Sequence, residues 1–245
     1  KKDHRLMVYN DRFGLYPFYY YAAGDAGFVF ASEAKALASV MRLEPDYAGI
    51  AEYLSLDYCL EERTFFKGVK YILPGAKIVV KRDNTVEVST YWSFPSGSKS
   101  TRKKTKKEYT QELYKLYEKA VTLRKAGNSI IGLTGGFDSR LILGILGNCS
   151  DIKLSTYNFG TPGSGDVVGA SALAKEYGTD HHYVRFDDLD FCKAARSIVY
   201  SSDGQCPFER FYVWQSAVQK SAVSEGVEVS GIGGDAVSGQ KSNFT

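Results

Sequence analysis

The apolar and polar positions of residues 5–92 are patterned mostly as short strands. "RLMVY" (5–9) and "FYYYA" (18–22) flank the turn "NDRFG", with Gly14 and Pro17 as turn formers, and "AGDAG" separates the second segment from "FVFAS" (28–32) as a hairpin would. Helical spacing interrupts twice. Ser32 opens "SEAKALASVM" with Glu33 and Ala34 in its first turn, and Asp46 is placed to cap "DYAGIAEYLSL". A further hairpin, "AKIVVKRDNTVEVSTYW" (76–92), closes this half.

The pattern then breaks. "PSGSKSTRKKTKK" (95–107) has no periodicity and gathers Lys99, Arg102, Lys103, Lys104, Lys106 and Lys107, which predicts a solvated, extended linker. Helix and strand alternate beyond it. "EYTQELYKLYEKAV" (108–121) carries Leu113, Tyr117 and Ala120 on one stripe, and "SIIGL" is a short strand. "SRLILGILG" (helix), "IKLSTYNF" (strand), "DVVGASALAKEYG" (helix ending at Gly178), "HHYVRF" (strand) and "GVEVSG" (strand) follow. Such alternation specifies an α/β domain with a parallel sheet. The expected division is a first domain over 1–95, a basic linker over 96–107 and a second domain over 108–245.

Composition narrows the class without naming a function. The 245 residues, 44% hydrophobic and 24% charged, suit one or two soluble globular domains. No apolar run approaches a membrane span of about 20 residues, and Lys1-Lys2-Asp3-His4 does not resemble a signal peptide, so the cytoplasm is the expected location. Cys59, Cys149, Cys192 and Cys206 are scattered, which suggests neither zinc nor disulfides. His181 and His182 are adjacent in a strand, face opposite sides and lack a spaced third ligand, so they are expected to be structural. A net charge of +3 does not by itself imply nucleic acid; on the basic linker a nucleic-acid or phosphate patch is the lesser alternative to a solvated segment, because no aromatics interleave with its lysines.

The informative chemistry lies in "LTGGFDSR" (133–140), where a strand end runs through two glycines into a helix. Such a turn points backbone N–H groups inward as an anion nest, and the helix N-terminus adds its positive end. Thr134 and Ser139 can donate hydroxyl hydrogen bonds to the same anion. Asp138 suits that place if a cation such as Mg²⁺ intervenes, and is otherwise an ordinary helix cap. The phosphate loop GxxxxGK[ST] and the dinucleotide fingerprint GxGxxG are both absent. "VSGIGGDAVSG" (229–239) repeats the arrangement with Asp235, and loops after adjacent parallel strands meet at the carboxyl edge of the sheet.

With both loops in view, the chain resembles the middle of a glutamine-dependent asparagine synthetase nearly end to end. "NDRFGLYPFYYY" with "FASEAKALA" is similar to the close of that family's glutaminase domain, and "FKGVKYILPGA" to the segment that follows. "LTGGFDS" resembles its SGGxDS pyrophosphate loop, with Thr134 for Ser; "TYNFGTPGSGDVVGASALAKEYGTDHH" and "SGIGGDAVSG" resemble its next two blocks. The resemblance implies a pyrophosphate-loop ATPase domain, adenine nucleotide alpha hydrolase-like, preceded by the β-rich end of an N-terminal-nucleophile glutaminase domain. It also implies an amide ligase: a carboxylate attacks the α-phosphate of ATP, pyrophosphate leaves, and ammonia from glutamine captures the acyl-adenylate.

Carried over by position, Thr134, Gly135, Gly136, Asp138 and Ser139 cradle pyrophosphate. Leu133, Phe159, Ser230 and Gly231 contact the rest of the ATP, and Asp138 and Asp235 ligate Mg²⁺. Asp166 is open between a helix cap and a site role. The implied partners are a small carboxylate and glutamine or ammonia, with no membrane; a homodimer is left open. The family's nucleophilic Cys and glutamine-binding residues precede the matched region, and its phosphate-contacting Lys and a second acid follow it.

Departures from the family matter equally. The family's second loop is SGEGxDE, whose first Glu assists amine attack; Ile232 stands there, and Ala236 replaces the last acid. Arg140 follows the first loop where a small residue is usual, and is expected to face solvent or else to meet a substrate carboxylate. A non-catalytic, nucleotide-binding descendant is therefore the alternative to a ligase.

Overall fold

The computed structural model describes residues 5–24, 27–94, 104–188, 191–205, 225–232 and 234. The chain divides into two compact units, residues 1–100 with 199–207, and residues 101–198 with 208–245. The return of 199–207 to the first unit has no counterpart in the sequence pattern.

In the first unit, β1 (Leu6–Tyr9), β5 (Ala76–Val80) and β6 (Val86–Thr90) form an antiparallel sheet in the order β1-β5-β6. A second antiparallel sheet, β3-β2-β4, combines β2 (Tyr19–Ala22), β3 (Phe28–Ala31) and β4 (Lys70–Tyr71). The expected hairpins β2–β3 and β5–β6 both form. The strands flanking Asn10–Gly14 do not pair with each other: β1 goes to one sheet and β2 to the other. That turn is anchored elsewhere, Asn10 Nδ2 donating to Ile72 O at 2.7 Å. One core gathers Tyr20, Ile72 and Ile78 between strands of both sheets, and another gathers Tyr19, Ala34, Leu37 and Val69.

Asp46 caps α1 (Tyr47–Leu56), its carboxylate accepting from Ala48 N and Gly49 N. The segment expected to be a helix from Ser32 is instead a 3-10 helix, Ala34–Ser39, whose N-cap Glu33 makes no side-chain cap. The capping carboxylate comes from Asp203, which accepts from Ala34 N at 2.7 Å and Lys35 N at 3.2 Å. A cap supplied from 169 residues away leaves no local signature.

In the second unit, α2 (Lys106–Thr122) starts with a capping box between Thr105 and Glu108, so Lys106 and Lys107 belong to the helix rather than to a linker. The parallel sheet has the order β10-β7-β8-β9, from β7 (Asn128–Gly132), β8 (Lys153–Gly160), β9 (Asp180–Arg185) and β10 (Val227–Glu228). Helices α3 (Phe137–Leu146) and α4 (Gly165–Glu176) make the crossovers, and α5 (Phe191–Ser201) follows β9, its residues up to Ile198 counting in this unit. Ile131, Leu133, Ile142, Leu143, Leu146, Ala170 and Ala174 pack α3 and α4 onto one face of this sheet. Among the described residues no helix is long and apolar enough to cross a membrane.

Two glycines in and after α3 make opposite predictions. A Cβ on Gly144 would meet only Tyr177 Oη, at an ordinary 3.6 Å, whereas one on Gly147 would fall 2.4 Å from Tyr177 Cδ1 and 2.8 Å from Leu143 O. Gly144→Ala is expected to stabilise the protein by up to about 1 kcal/mol through helix propensity. Gly147→Ala is expected to destabilise it by about 1–3 kcal/mol through overpacking. Urea midpoints of the two variants check both signs.

The adjacent histidines part as their strand requires. His181 aligns with Thr156 and His182 with Tyr157 on β8. His181 Nδ1 lies 2.9 Å from Thr156 Oγ1, which in turn lies 2.8 Å from Thr179 Oγ1. Its Nε2 is buried and has no hydrogen-bond partner among the described residues. Burial holds the His181 imidazole below its usual range, the neighbouring His182 adding to the effect. Because the folded pKa is depressed, the unfolded state binds the extra proton: the stability is full above the ordinary value of about 6.5 and is lost as pH falls through it. The melting temperature is expected to drop between about pH 7.5 and 5.5, and to drop less in His181→Gln. Identical pH profiles for both proteins would contradict this assignment.

Candidate functional site

Strand β7 lies between β10 and β8, so the loop that leaves its carboxyl end is flanked by the loops after both neighbours. Leu133 extends the ladder by one step, donating its N–H to Tyr157 O at 2.8 Å. Its side chain is fully buried in the core, and its carbonyl accepts from Asn158 Nδ2 at 3.0 Å. The chain then turns through Thr134, Gly135 and Gly136 into α3. Gly136 is the N-cap, with extended dihedrals (φ −72°, ψ 160°) and no side-chain cap. The positive end of α3 is therefore open to an anion, and Asp138 stands in its first turn.

The loop is held by its own side chains. Thr134 N donates to Ser139 Oγ at 3.1 Å, the Thr134 and Ser139 hydroxyls are 3.1 Å apart, and Gly136 N donates to Thr134 Oγ1 at 3.0 Å. These are the hydroxyls expected to serve an anion, and here they staple the turn. Gly135 N donates to Asp166 Oδ1 at 3.0 Å. Asp166 is in the first turn of α4, whose N-cap is Ser164, so its carboxylate bridges to the loop and is no cap for its own helix. It occupies the kind of N–H position that a phosphate oxygen would take. A Cβ on Gly135 would lie 2.7 Å from that same oxygen, so a side chain there would displace the Asp166 carboxylate from the loop.

The other flank closes on Asp138. A Cβ on Gly231 would fall 2.6 Å from Asp138 Cβ, and one on Gly234 would fall 2.8 Å from its Oδ1, so the loop after β10 lies directly against this acid. Ser230 Oγ steadies that loop by accepting from Ile232 N at 3.2 Å. Ile232 itself is 89% exposed. Among the described residues the Asp138 carboxylate has no hydrogen-bond or ion-pair partner, which leaves its oxygens available to a cation. Asp235 and Ala236 lie outside the described residues, as do Lys99, Arg102, Lys103 and Cys206. Among the described residues no cluster of three or more His, Cys, Asp or Glu is poised around a metal. Mg²⁺ held by substrate phosphates and one or two carboxylates needs none.

Thr134, Gly135, Gly136, Asp138, Ser139, Ser230 and Gly231 thus share one end of the sheet, and Phe159, half-buried, lies at the carboxyl end of β8. Beside them, a cavity of about 420 Å³ between α2, α3 and the loop after β10 is lined by Leu113, Leu116, Tyr117, Leu141 and Ile232 and reaches Asp138. Asn158 escaped the sequence reading. It is buried, holds Leu133 O through its amide and has no partner for Oδ1 among the described residues; its signal is an amide in the buried part of an otherwise inward-packed strand.

Known proteins bear on this geometry. Residues 1–92 match the family model described as a glutamine amidotransferase domain, and residues 112–244 match the model described as asparagine synthase. The glutamine-hydrolyzing asparagine synthetase 1 of Bacillus subtilis is 26% identical over 185 residues, covering 74% of this chain and 29% of its own length. The asparagine synthetase of Gallus gallus is 24% identical over 216 residues, covering 81% and 36% respectively. Amidase chyE of Penicillium rubens is 26% identical over 246 residues, 93% of this chain and 35% of its own length. The chain spans about a third of the length of the curated relatives it matches. The asparagine synthase match takes in both loops that close on Asp138 and extends over more than half of the residues, so this chain belongs to the asparagine synthase family.

Proposed function

We propose that the chain is the central part of an ATP-dependent amide ligase that activates a carboxylate as its acyl-adenylate and transfers ammonia derived from glutamine. The observation that carries this reading is the Thr134–Ser139 turn: glycine N–H groups, two hydroxyls and an uncapped helix N-terminus meet where Asp138, an acid without a partner among the described residues, faces the loop after β10. Pyrophosphate leaving in that cradle would replace the Asp166 carboxylate at Gly135 N, and Thr134 and Ser139 would turn their hydroxyls to its oxygens. Fixed dipoles aimed at developing charge need no reorganisation as it forms. Mg²⁺ fits the donors present: Asp138, with Asp235 as the second acid, would hold it against the phosphates, where it would neutralise charge on the leaving group. Leu133, Phe159, Ser230 and Gly231 would border the adenosine, Leu133 through its backbone because its side chain is in the core.

The amine step differs from that of an asparagine synthetase carrying a Glu in the second loop, because Ile232 can neither accept a proton nor attract ammonium. Its exposed side chain next to an apolar cavity suits a carboxylate less polar than aspartate. The test incubates the full-length protein with Mg-ATP, glutamine or ammonium, and a panel of acids running from aspartate to apolar carboxylates. AMP formation with a less polar acid, and little asparagine from aspartate, is the expected result. Asparagine turnover of about 1 per second or faster would overturn the substrate assignment, and ADP in place of AMP would overturn the adenylation chemistry.

A further inference from the structure

Arg140 lies in the second turn of α3, and its side chain runs back toward the helix N-terminus, the direction in which helical side chains lean. Its Nη2 donates to Gly135 O at 2.5 Å and its Nε to Gly136 O at 3.3 Å. The guanidinium carbon sits 4.8 Å from the centroid of the Phe137 ring. One planar cation thus holds the carbonyls of two successive glycines, on the loop whose N–H groups meet Asp166 and Thr134.

We infer that Arg140 is a positioning residue for pyrophosphate: it fixes the Gly135 and Gly136 carbonyls on its own side of the loop so that the intervening peptides cannot flip an oxygen into the anion cradle. Two adjacent residues without Cβ impose almost no barrier to such a flip, and a carbonyl turned into the cradle would put a negative dipole where phosphate oxygens must sit. The forked guanidinium can bond both carbonyls at once, which a lysine ammonium does less well. The Phe137 ring, 84% exposed, gives the guanidinium a face to lie on. Arg140 acts on the anion through the backbone and does not bind it.

This inference rests on the ligase reading, and the experiment separates the two. Binding of Mg-pyrophosphate to the full-length protein is measured by isothermal titration across a series of salt concentrations for wild type, Arg140→Gln and Arg140→Lys, with thermal melting as a fold control. Absence of wild-type binding overturns the ligase reading itself, and the inference with it. The inference predicts an affinity about tenfold lower in Arg140→Gln. It also predicts partial recovery in Arg140→Lys, a salt dependence unchanged from wild type in both variants, and a raised KM for ATP. Unchanged affinity in Arg140→Gln would overturn it. So would a flattened salt dependence in Arg140→Gln, since that marks a cation touching the pyrophosphate directly.

Discussion

Asp138→Asn in the full-length protein is expected to abolish measurable Mg²⁺-dependent ATP binding and to cut AMP formation by about a hundredfold or more. Asparagine keeps the volume and the place in the first turn of α3, so packing against Gly231 and Gly234 is preserved while the charge is removed. The loss should therefore come without unfolding, with stability changed by no more than about 0.5–1 kcal/mol. Titration with Mg-ATP and AMP release measure the effect, and unchanged values for both would remove Asp138 from the metal site. Asp235→Asn carries the same expectation.

The second large effect is expected at Gly231. Its absent side chain is what lets the loop after β10 rest on Asp138: a Cβ there would sit 2.6 Å from Asp138 Cβ and 3.5 Å from the Asp138 carbonyl carbon. Those atoms belong to the first turn of a helix whose buried face includes Ile142, Leu143 and Leu146, so they cannot yield easily. Gly231→Ala must push the loop after β10 away from Asp138, costing about 1–3 kcal/mol of stability, and on the proposed reading it weakens Mg-ATP binding. Gly165→Ala is the control, because a Cβ at Gly165 meets nothing within 4 Å. Equal Mg-ATP affinity and equal urea midpoints in both variants would show that the close approach at Gly231 is unimportant.

The second domain was legible because its signals are local. Strand, glycine turn and helix are written consecutively from Ser129 to Leu146, and a parallel sheet leaves few places for a loop such as Val229–Gly234 other than beside it. Features that depend on partners distant in sequence were not legible. The cap on Ala34–Ser39 comes from Asp203, the Asn10–Gly14 turn joins strands of different sheets, and residues 199–207 rejoin the first unit. The same limit applies within the site. The sequence leaves Asp166 open between a helix cap and a site role, and only the fold shows its carboxylate on Gly135 N; only the fold turns Arg140 back onto its own helix start.

Exchange of labelled pyrophosphate into ATP by the full-length protein, with Mg²⁺ and each candidate acid supplied in turn, tests adenylation at the Thr134–Ser139 loop most directly. Acid-dependent exchange in the wild type that disappears in Asp138→Asn is the predicted result. Mg-ATP binding without exchange for any acid would contradict it and identify the protein as a non-catalytic nucleotide binder.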